Sequence, residues 1–310
     1  MTALPKATET QLTGNVLSAY NVCLELEEIA EDKTEKERIQ ARVLGYLIIH
    51  APNAVSELLR VIHSCNNEPD KLFKLGECFI NYFIRPFKKF KGRTPASSSR
   101  PSRPSFDKST KKNLLDKITE APKDHKEAKR QALIRDGFRC VATGMYDSKA
   151  LQVPELAEER KANLINTECA HIVPQSTYFN VSTDSDKRDY SASVLAVLQR
   201  FGYDVQNLNG EKVHSLFNDM TMDRNVHDAF DRLDLWLEAI QTQDCYVTKT
   251  TPSFSFELLK KKITFASAPN LPAPSPELLA LHAACAKVAH LSGAGAYIDE
   301  LDEDTDDLPV

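Results

Sequence analysis

The segment ECAHIVP, residues 168–174, is the most informative stretch of this 310-residue chain. His171 lies in an apolar run that ends at a proline, a pattern typical of a β-strand followed by a turn. Asn218 and His227 come much later and are nine positions apart, and Asp231 lies four positions after His227. Because positions four apart share one face of a helix, the sequence predicts that the side chains of His227 and Asp231 are neighbours.

These residues, in this order, resemble the HNH endonuclease family and its ββα-metal motif, with His171, Asn218 and His227 at the three positions that name the family. The strings around them, ECAHIVPQS and NDMTMDRNVHDAFDRLDLW, are similar to an HNH subgroup common in fungal predicted proteins. Upstream, RDGFRCVATG at residues 135–144 resembles the opening hairpin of that subgroup. The resemblance is good over residues 128–240 and continues more loosely toward the C-terminus.

The resemblance implies a metal-dependent nuclease and assigns a role to each residue. His171 would be the general base, and Asn218 would hold the segment that carries His171 through backbone hydrogen bonds. His227 would bind a divalent metal, with Asp231 as the second ligand on the same helix. We expect Mg²⁺ or Mn²⁺ rather than Zn²⁺, because two protein ligands plus waters suit Mg²⁺ but hold zinc poorly.

One position departs from the family pattern. Many HNH enzymes carry Asp or His directly before the first His as a further metal ligand, whereas this chain has Ala170. Glu168 or Cys169 would have to move in to replace that ligand. We interpret the arrangement as a variant site rather than an inactive one.

The charge distribution favours a polyanionic partner. Residues 85–135 contain 16 Lys or Arg residues and five acidic residues, although the whole chain has a net charge of −5. The C-terminal residues 299–310 contain seven acids and no base. A basic centre of this kind is compatible with a nucleic-acid partner, for which DNA is expected more than RNA. No membrane partner is expected. The candidate phosphate contacts are Lys88, Lys89, Lys91, Arg93, Lys111, Lys112 and Arg130.

The apolar pattern predicts an α+β protein that is mainly helical. Residues 9–31 and 34–50 show helical periodicity, and residues 1–90 are expected to form an all-helical N-terminal region. Residues 91–112 are rich in Ser, Pro and Arg, so we predict a disordered basic linker. The predicted HNH-like domain spans residues 113–298, and residues 299–310 are predicted to be an acidic tail.

Two helices are predicted inside the HNH-like domain. The 46 residues between His171 and Asn218 exceed what a compact ββα core needs, and they include a helix around residues 191–202 that we interpret as an insertion. The helix that carries the predicted metal ligands is expected to bury a stripe of apolar residues that runs to Leu237. The stripe consists of Val226, Phe230, Leu233 and Leu237.

The cysteines and the hydropathy of the chain predict where in the cell the protein is located. Seven cysteines without any Cys-x-x-Cys pair argue for reduced thiols inside the cell, nuclear or cytoplasmic, and against a disulfide framework. Cys140 and Cys169 are interpreted as ordinary buried thiols rather than metal ligands. The N-terminus lacks the pattern of a secretory signal, and no apolar run reaches the length of a transmembrane helix.

Three functions remain open from the sequence. The first is a metal-dependent endonuclease, which the set His171, Asn218, His227 and Asp231 favours. The second is an HNH-fold module that binds nucleic acid without cutting it, and the third is a protein-interaction adaptor built on the helical N-terminal region. Ala170 favours the second and third.

Overall fold

The structure is a computed structural model that describes residues 1–88, 126–153, 156, 164–178, 185–203, 208–266 and 271–306. Within them the chain is rich in helices and has small antiparallel sheets, in agreement with the predicted α+β class. The helices are α1 (Gly14–Glu31), α2 (Glu35–His50), α3 (Val55–His63), α4 (Pro69–Phe79), α5 (Lys126–Arg135), α6 (Ser185–Arg200), α7 (Arg224–Asp231), α8 (Pro276–Ser292) and α9 (Ala294–Asp306). The strands are β1 (Thr167–His171), β2 (Asp219–Asp223), β3 (Leu235–Ala239), β4 (Cys245–Thr250) and β5 (Lys262–Thr264).

The described residues form two compact units. The first contains α1–α4, α6 and α9, and the second contains α5, α7 and the five strands, while α8 is divided between them. These units differ from the predicted division, which placed α6 and the residues up to 298 in one domain with the strands. The predicted linker at residues 91–112 lies outside the described residues.

The first unit is built on closely packed helices. Thr34 caps α2, because its hydroxyl accepts from the Glu37 amide while the Glu37 carboxylate accepts from the Thr34 amide at 3.1 Å. α2 and α4 approach each other at Gly76, where an added Cβ would lie 2.4 Å from the carbonyl oxygen of Gln40. Only glycine permits that contact, so Gly76 sets the spacing of the two helices.

α6 belongs to the first unit because of its aromatic contacts. Phe201, directly after α6, is fully buried, and its ring centroid lies 5.1 Å from that of Phe79 and 6.1 Å from that of Phe83. The Tyr190 hydroxyl donates to the Asn81 carbonyl at 3.0 Å. Edge-to-face aromatic pairs add to the free energy gained by burial. Local periodicity predicted this helix but could not show which partner it packs against.

α9 extends into the predicted acidic tail. The carboxylate of Asp302 forms a buried ion pair with Arg85, and Asp299 pairs with Lys88 at 3.1 Å. Residues 299–306 are helical and belong to α9, while residues 307–310 lie outside the described part of the chain. A carboxylate can be buried when it has a cationic partner. The number of acidic residues in a segment therefore does not show whether that segment is exposed.

In the second unit, β1 and β2 form an antiparallel pair that leads directly into α7. The register places His171 at the end of β1 opposite Asp219 at the start of β2. Asp223, the last residue of β2, caps α7, because its carboxylate accepts from the Asn225 amide at 2.9 Å. β1, β2 and α7 therefore follow one another along the chain, and the helix begins where the second strand ends.

The two sides of β1 face different helices. Cys169 packs with Ala132 of α5, while Glu168 contacts His227 of α7. Successive side chains of a strand point to opposite faces. Positions 167, 169 and 171 therefore share the α5 side, and positions 168 and 170 share the α7 side.

α7 is shorter than predicted. Leu233 has a positive φ of 64°, its amide donates to the Phe230 carbonyl at 3.0 Å, and the Asp234 amide donates to the Ala229 carbonyl at 2.9 Å. These bonds form a Schellman motif, which ends a helix. Leu237 lies in β3, paired with β4, so the prediction of a helix running to Leu237 is wrong.

None of the helices in the described residues has the length and apolarity needed to cross a membrane.

Candidate functional site

Asn218 fixes the chain directly after His171. The Asn218 side chain is fully buried, and its carboxamide oxygen accepts from the Val173 amide at 2.9 Å. Its nitrogen donates to the carbonyls of Val173 at 3.1 Å and Val213 at 2.9 Å, and its own carbonyl accepts from the Ile172 amide at 2.8 Å. Both ends of the carboxamide are used, so the end of β1 is held in one conformation.

His171 lies in a small cluster of titratable groups. Its side chain is nearly buried, and its Nε2 lies 2.9 Å from Nδ1 of His214 and 3.3 Å from Oδ1 of Asp219. His214 is partly exposed, and its Nε2 lies 3.3 Å from the Gln175 carboxamide nitrogen. The Nε2 edge of His171 is thus surrounded by groups that can share or orient a proton. An imidazole oriented in this way is suited to general base chemistry.

Asp219 is a buried carboxylate next to that imidazole. Burial raises the pKa of Asp219 from 3.8 to about 8, against the opposing effect of the nearby Arg135 guanidinium. Among the described residues, no donor reaches either carboxylate oxygen in ordinary hydrogen-bond geometry, although the Cys169 thiol lies beside it. Desolvation disfavours the charged form, so Asp219 favours holding a proton close to His171.

Arg135 anchors the start of β2 from α5. Its buried guanidinium donates to the carbonyl oxygens of Leu216 and Asp219, each at 2.7 Å, and pairs with the Asp136 carboxylate at 2.8 Å. Asp136 in turn accepts from the Thr221 amide at 2.9 Å. The basic count of the sequence included Arg135 among the charges that favour a polyanion, but the structure gives it internal partners.

His227 lies between two carboxylates. Its Nδ1 is 2.9 Å from Oε2 of Glu168 on β1, and its Nε2 is 3.4 Å from Oδ2 of Asp231, one turn further along α7. The Arg224 guanidinium lies 4.0 Å from the other Glu168 oxygen. The structure therefore brings together the two predicted ligands on the helix and adds a carboxylate from the strand.

The donors at His227 suit a divalent cation that keeps most of its waters. Two ligands at neighbouring corners of an octahedron with 2.1 Å bonds are about 3.0 Å apart, close to the separations at His227. Imidazole and carboxylate together are donors that Mg²⁺ and Mn²⁺ accept. Within the described ranges, no three His, Cys, Asp or Glu side chains converge as a metal cluster. The residues thus fit a weak, water-rich site better than a closed zinc site.

The described basic residues give little direct support for the predicted phosphate contacts. Lys88 is buried and paired with Asp299, which leaves its ammonium group unsuited to a phosphate. Arg130 is exposed and pairs with Glu127 one turn before it on α5. Outside the described residues lie Lys89, Lys91, Arg93, Lys111 and Lys112.

Asp219, His214 and Glu168 were not assigned to the site from the sequence. Asp219 could have been found from pairing, because an antiparallel register with Asn218 beside Ile172 places residue 219 opposite His171. His214 lies between the predicted insertion and Asn218, in a stretch that has no pattern of its own. Glu168 was named only as a residue that could replace the missing ligand.

A comparison with protein-family models gave a match in the part of the chain that contains the site. The model described as HNH endonuclease matches residues 140–238, a span that contains β1, β2 and α7. The chain contains an HNH domain. The matched span of that domain includes His171, Asn218, His227 and Asp231, and Arg135 lies before it. Comparisons with curated proteins and with solved structures gave no match.

Proposed function

We propose that this chain is a metal-dependent endonuclease that hydrolyses phosphodiester bonds in nucleic acid, with DNA favoured over RNA as the substrate. The observation that carries the proposal is the HNH domain in which His171 ends β1, held by Asn218, while His227 lies beside carboxylates at the first turn of α7. HNH domains act on nucleic acid, which gives the substrate class.

Each residue has a role in the hydrolysis. His171 takes a proton from water as the water oxygen attacks phosphorus and the bond from phosphorus to the leaving oxygen breaks. Asn218 keeps β1 and the turn after it rigid, so the imidazole needs no reorganisation during the reaction. His214 orients His171 through the contact between its Nδ1 and Nε2 of His171, in the way a third group orients the base in other hydrolases, and Asp219 adds a buried carboxyl group 3.3 Å from the same nitrogen.

His227 would hold the divalent cation, together with Asp231 or Glu168. When bound, Mg²⁺ or Mn²⁺ supplies positive charge that stabilises the negative charge developing on the phosphate. The His227 imidazole and one carboxylate keep the site weak, because most of the coordination shell is left to water and phosphate.

Cleavage assays test the proposal directly. Plasmid, single-stranded DNA and RNA are incubated with the full chain in Mg²⁺, Mn²⁺ or EDTA. We expect cleavage that EDTA stops and that His171→Ala abolishes, with nucleic-acid affinity and melting temperature nearly unchanged, because a general base acts in the transition state. His290→Ala, at an exposed histidine on α8, is the matched control.

A second function remains if cleavage is absent. Binding of the same nucleic acids without metal-dependent cleavage would favour the HNH-fold binding module, for which Ala170 is the supporting observation. Retention of activity within a few-fold in His171→Ala would remove His171 from its proposed role.

A further inference from the structure

Glu168 lies where its carboxylate can take over the role of the metal ligand that is absent at Ala170. Ala170, directly before the proposed base, has no side-chain donor and is fully buried. Glu168 lies two positions earlier on β1, so both residues point to the side of the strand that faces α7. Its side chain is 44% exposed, and one carboxylate oxygen reaches Nδ1 of His227 at 2.9 Å.

The other candidates on the same segment are less suitable. Cys169 points to the opposite side of β1, where it is buried and packs with Ala132, so its thiol faces away from His227. His171 is also on that side and has its own partners.

Asp231 and Glu168 approach different nitrogens of one ring. Nδ1 and Nε2 of an imidazole point away from each other, so one ion cannot bind both nitrogens. The Glu168 distance of 2.9 Å matches the edge of about 3.0 Å expected for neighbouring ligands of Mg²⁺. Asp231 at 3.4 Å then lies where a carboxylate usually orients a metal-binding histidine through its other ring nitrogen.

We propose that Glu168 and Nδ1 of His227 are the two protein ligands of the divalent cation, and that Asp231 orients the His227 ring. The inference rests on the proposed function only for the presence of a cation, Mg²⁺ or Mn²⁺. Glu168 thereby replaces the ligand that Ala170 lacks, and the site remains a two-ligand site.

Binding of Mn²⁺ tests the inference without relying on cleavage. Free Mn²⁺ is measured by electron paramagnetic resonance during titration of the full chain and its variants. We expect Glu168→Gln to weaken Mn²⁺ binding at least tenfold. Glu168→Asp, which keeps the charge but shortens the side chain, should also weaken it. Glu257→Gln, at an exposed glutamate of the same unit, should bind like the wild type.

A rescue separates a ligand from an orienting residue. Ala170→Asp should restore Mn²⁺ binding in the Glu168→Ala background, because both positions face α7. The same substitution should not restore it when His227→Ala removes the other ligand. Thermal melting of every variant checks that the fold is kept.

The outcomes separate this inference from the proposed function. Unchanged Mn²⁺ affinity in Glu168→Gln, or no Mn²⁺ binding by the wild type, would overturn the assignment of Glu168. Metal-dependent cleavage that persists in Glu168→Gln would leave the nuclease proposal standing with Asp231 as the ligand. The expected Mn²⁺ pattern without any cleavage would uphold the role of Glu168 and refute the nuclease.

Discussion

Replacing Asp219 with Asn should raise the free energy of unfolding above that of the wild type at neutral pH. The difference between the two proteins should disappear at acidic pH. Burial raises the pKa of Asp219 from 3.8 to about 8. Between these two pH values the unfolded chain has released a proton that the folded chain still holds. Wild-type stability therefore falls as the pH rises through this window, and most of the loss is complete near pH 8.

The size of the effect follows from the width of that window. Each pKa unit corresponds to about 1.4 kcal/mol, so the roughly four units between the unfolded pKa and pH 8 give an upper limit of about 6 kcal/mol. His171 lies 3.3 Å away and can share the proton, which reduces the cost of keeping the carboxylate in the fold. We therefore expect Asp219→Asn to gain about 1–3 kcal/mol at pH 8 and about zero at pH 4.

Urea unfolding at pH 4, 6 and 8 measures the difference. Trp236 is the single tryptophan of the chain and lies in the same unit as Asp219, so its fluorescence reports on the relevant transition. Glu257→Gln is the control for loss of a carboxylate at an exposed position. If the stability difference between Asp219→Asn and the wild type is the same at all three pH values, Asp219 titrates alike in both states and the reasoning is refuted. The variant should also cleave more slowly, because it loses the carboxyl group that lies 3.3 Å from Nε2 of His171 and can share its proton.

Two further substitutions test the groups that support the site. His282 of α8 donates from Nε2 to the Phe230 carbonyl of α7 at 3.1 Å, and burial lowers its pKa from 6.5 to about 3. On acidification the unfolded chain therefore takes up a proton first, and stability falls by about 1.4 kcal/mol per pH unit in that window. His282→Gln should remove this slope in urea titrations, and parallel slopes for variant and wild type would contradict it. Arg135→Met should cost about 3–5 kcal/mol because it leaves buried Asp136 without its partner. A double-mutant cycle with Asp136→Asn checks this, since the Arg135 substitution should cost less in that background, and strict additivity would disprove the coupling.

Local patterns of the sequence predicted the N-terminal helices well. The helix predicted over residues 9–31 is α1, and the one over residues 34–50 is α2. α2 is well bounded because Thr34 and Glu37 form a capping box, a signal contained within four residues. His227 and Asp231 also lie on one helical face as their spacing required. Predictions that depended on five or fewer consecutive residues were therefore the reliable ones.

The end of α7 and the position of α6 could not be obtained in this way. The apolar spacing that includes Leu233 and Leu237 suits a helix, yet Leu233 adopts a left-handed conformation and Leu237 pairs with β4. Both outcomes depend on partners distant in the sequence. Likewise the burial of Phe201 against Phe79 is a contact across more than 100 residues. Helical periodicity contains no information about such partners.

The geometry of β1 connects the parts of the candidate site that the sequence did and did not predict. Because His171 occupies an odd position of the strand and Glu168 an even one, the base and the proposed ligand project toward different helices, α5 and α7. Asp219 is opposite His171 by register, which places a buried carboxylate at the base without any sequence motif. Ala170, which counted against activity when taken by itself, lies on the same side of β1 as Glu168, whose carboxylate reaches His227. The alternation of side chains along β1 thus places both Glu168, beside His227, and His171, beside Asp219. Inserting or deleting one residue in β1 should therefore separate both side chains from these partners.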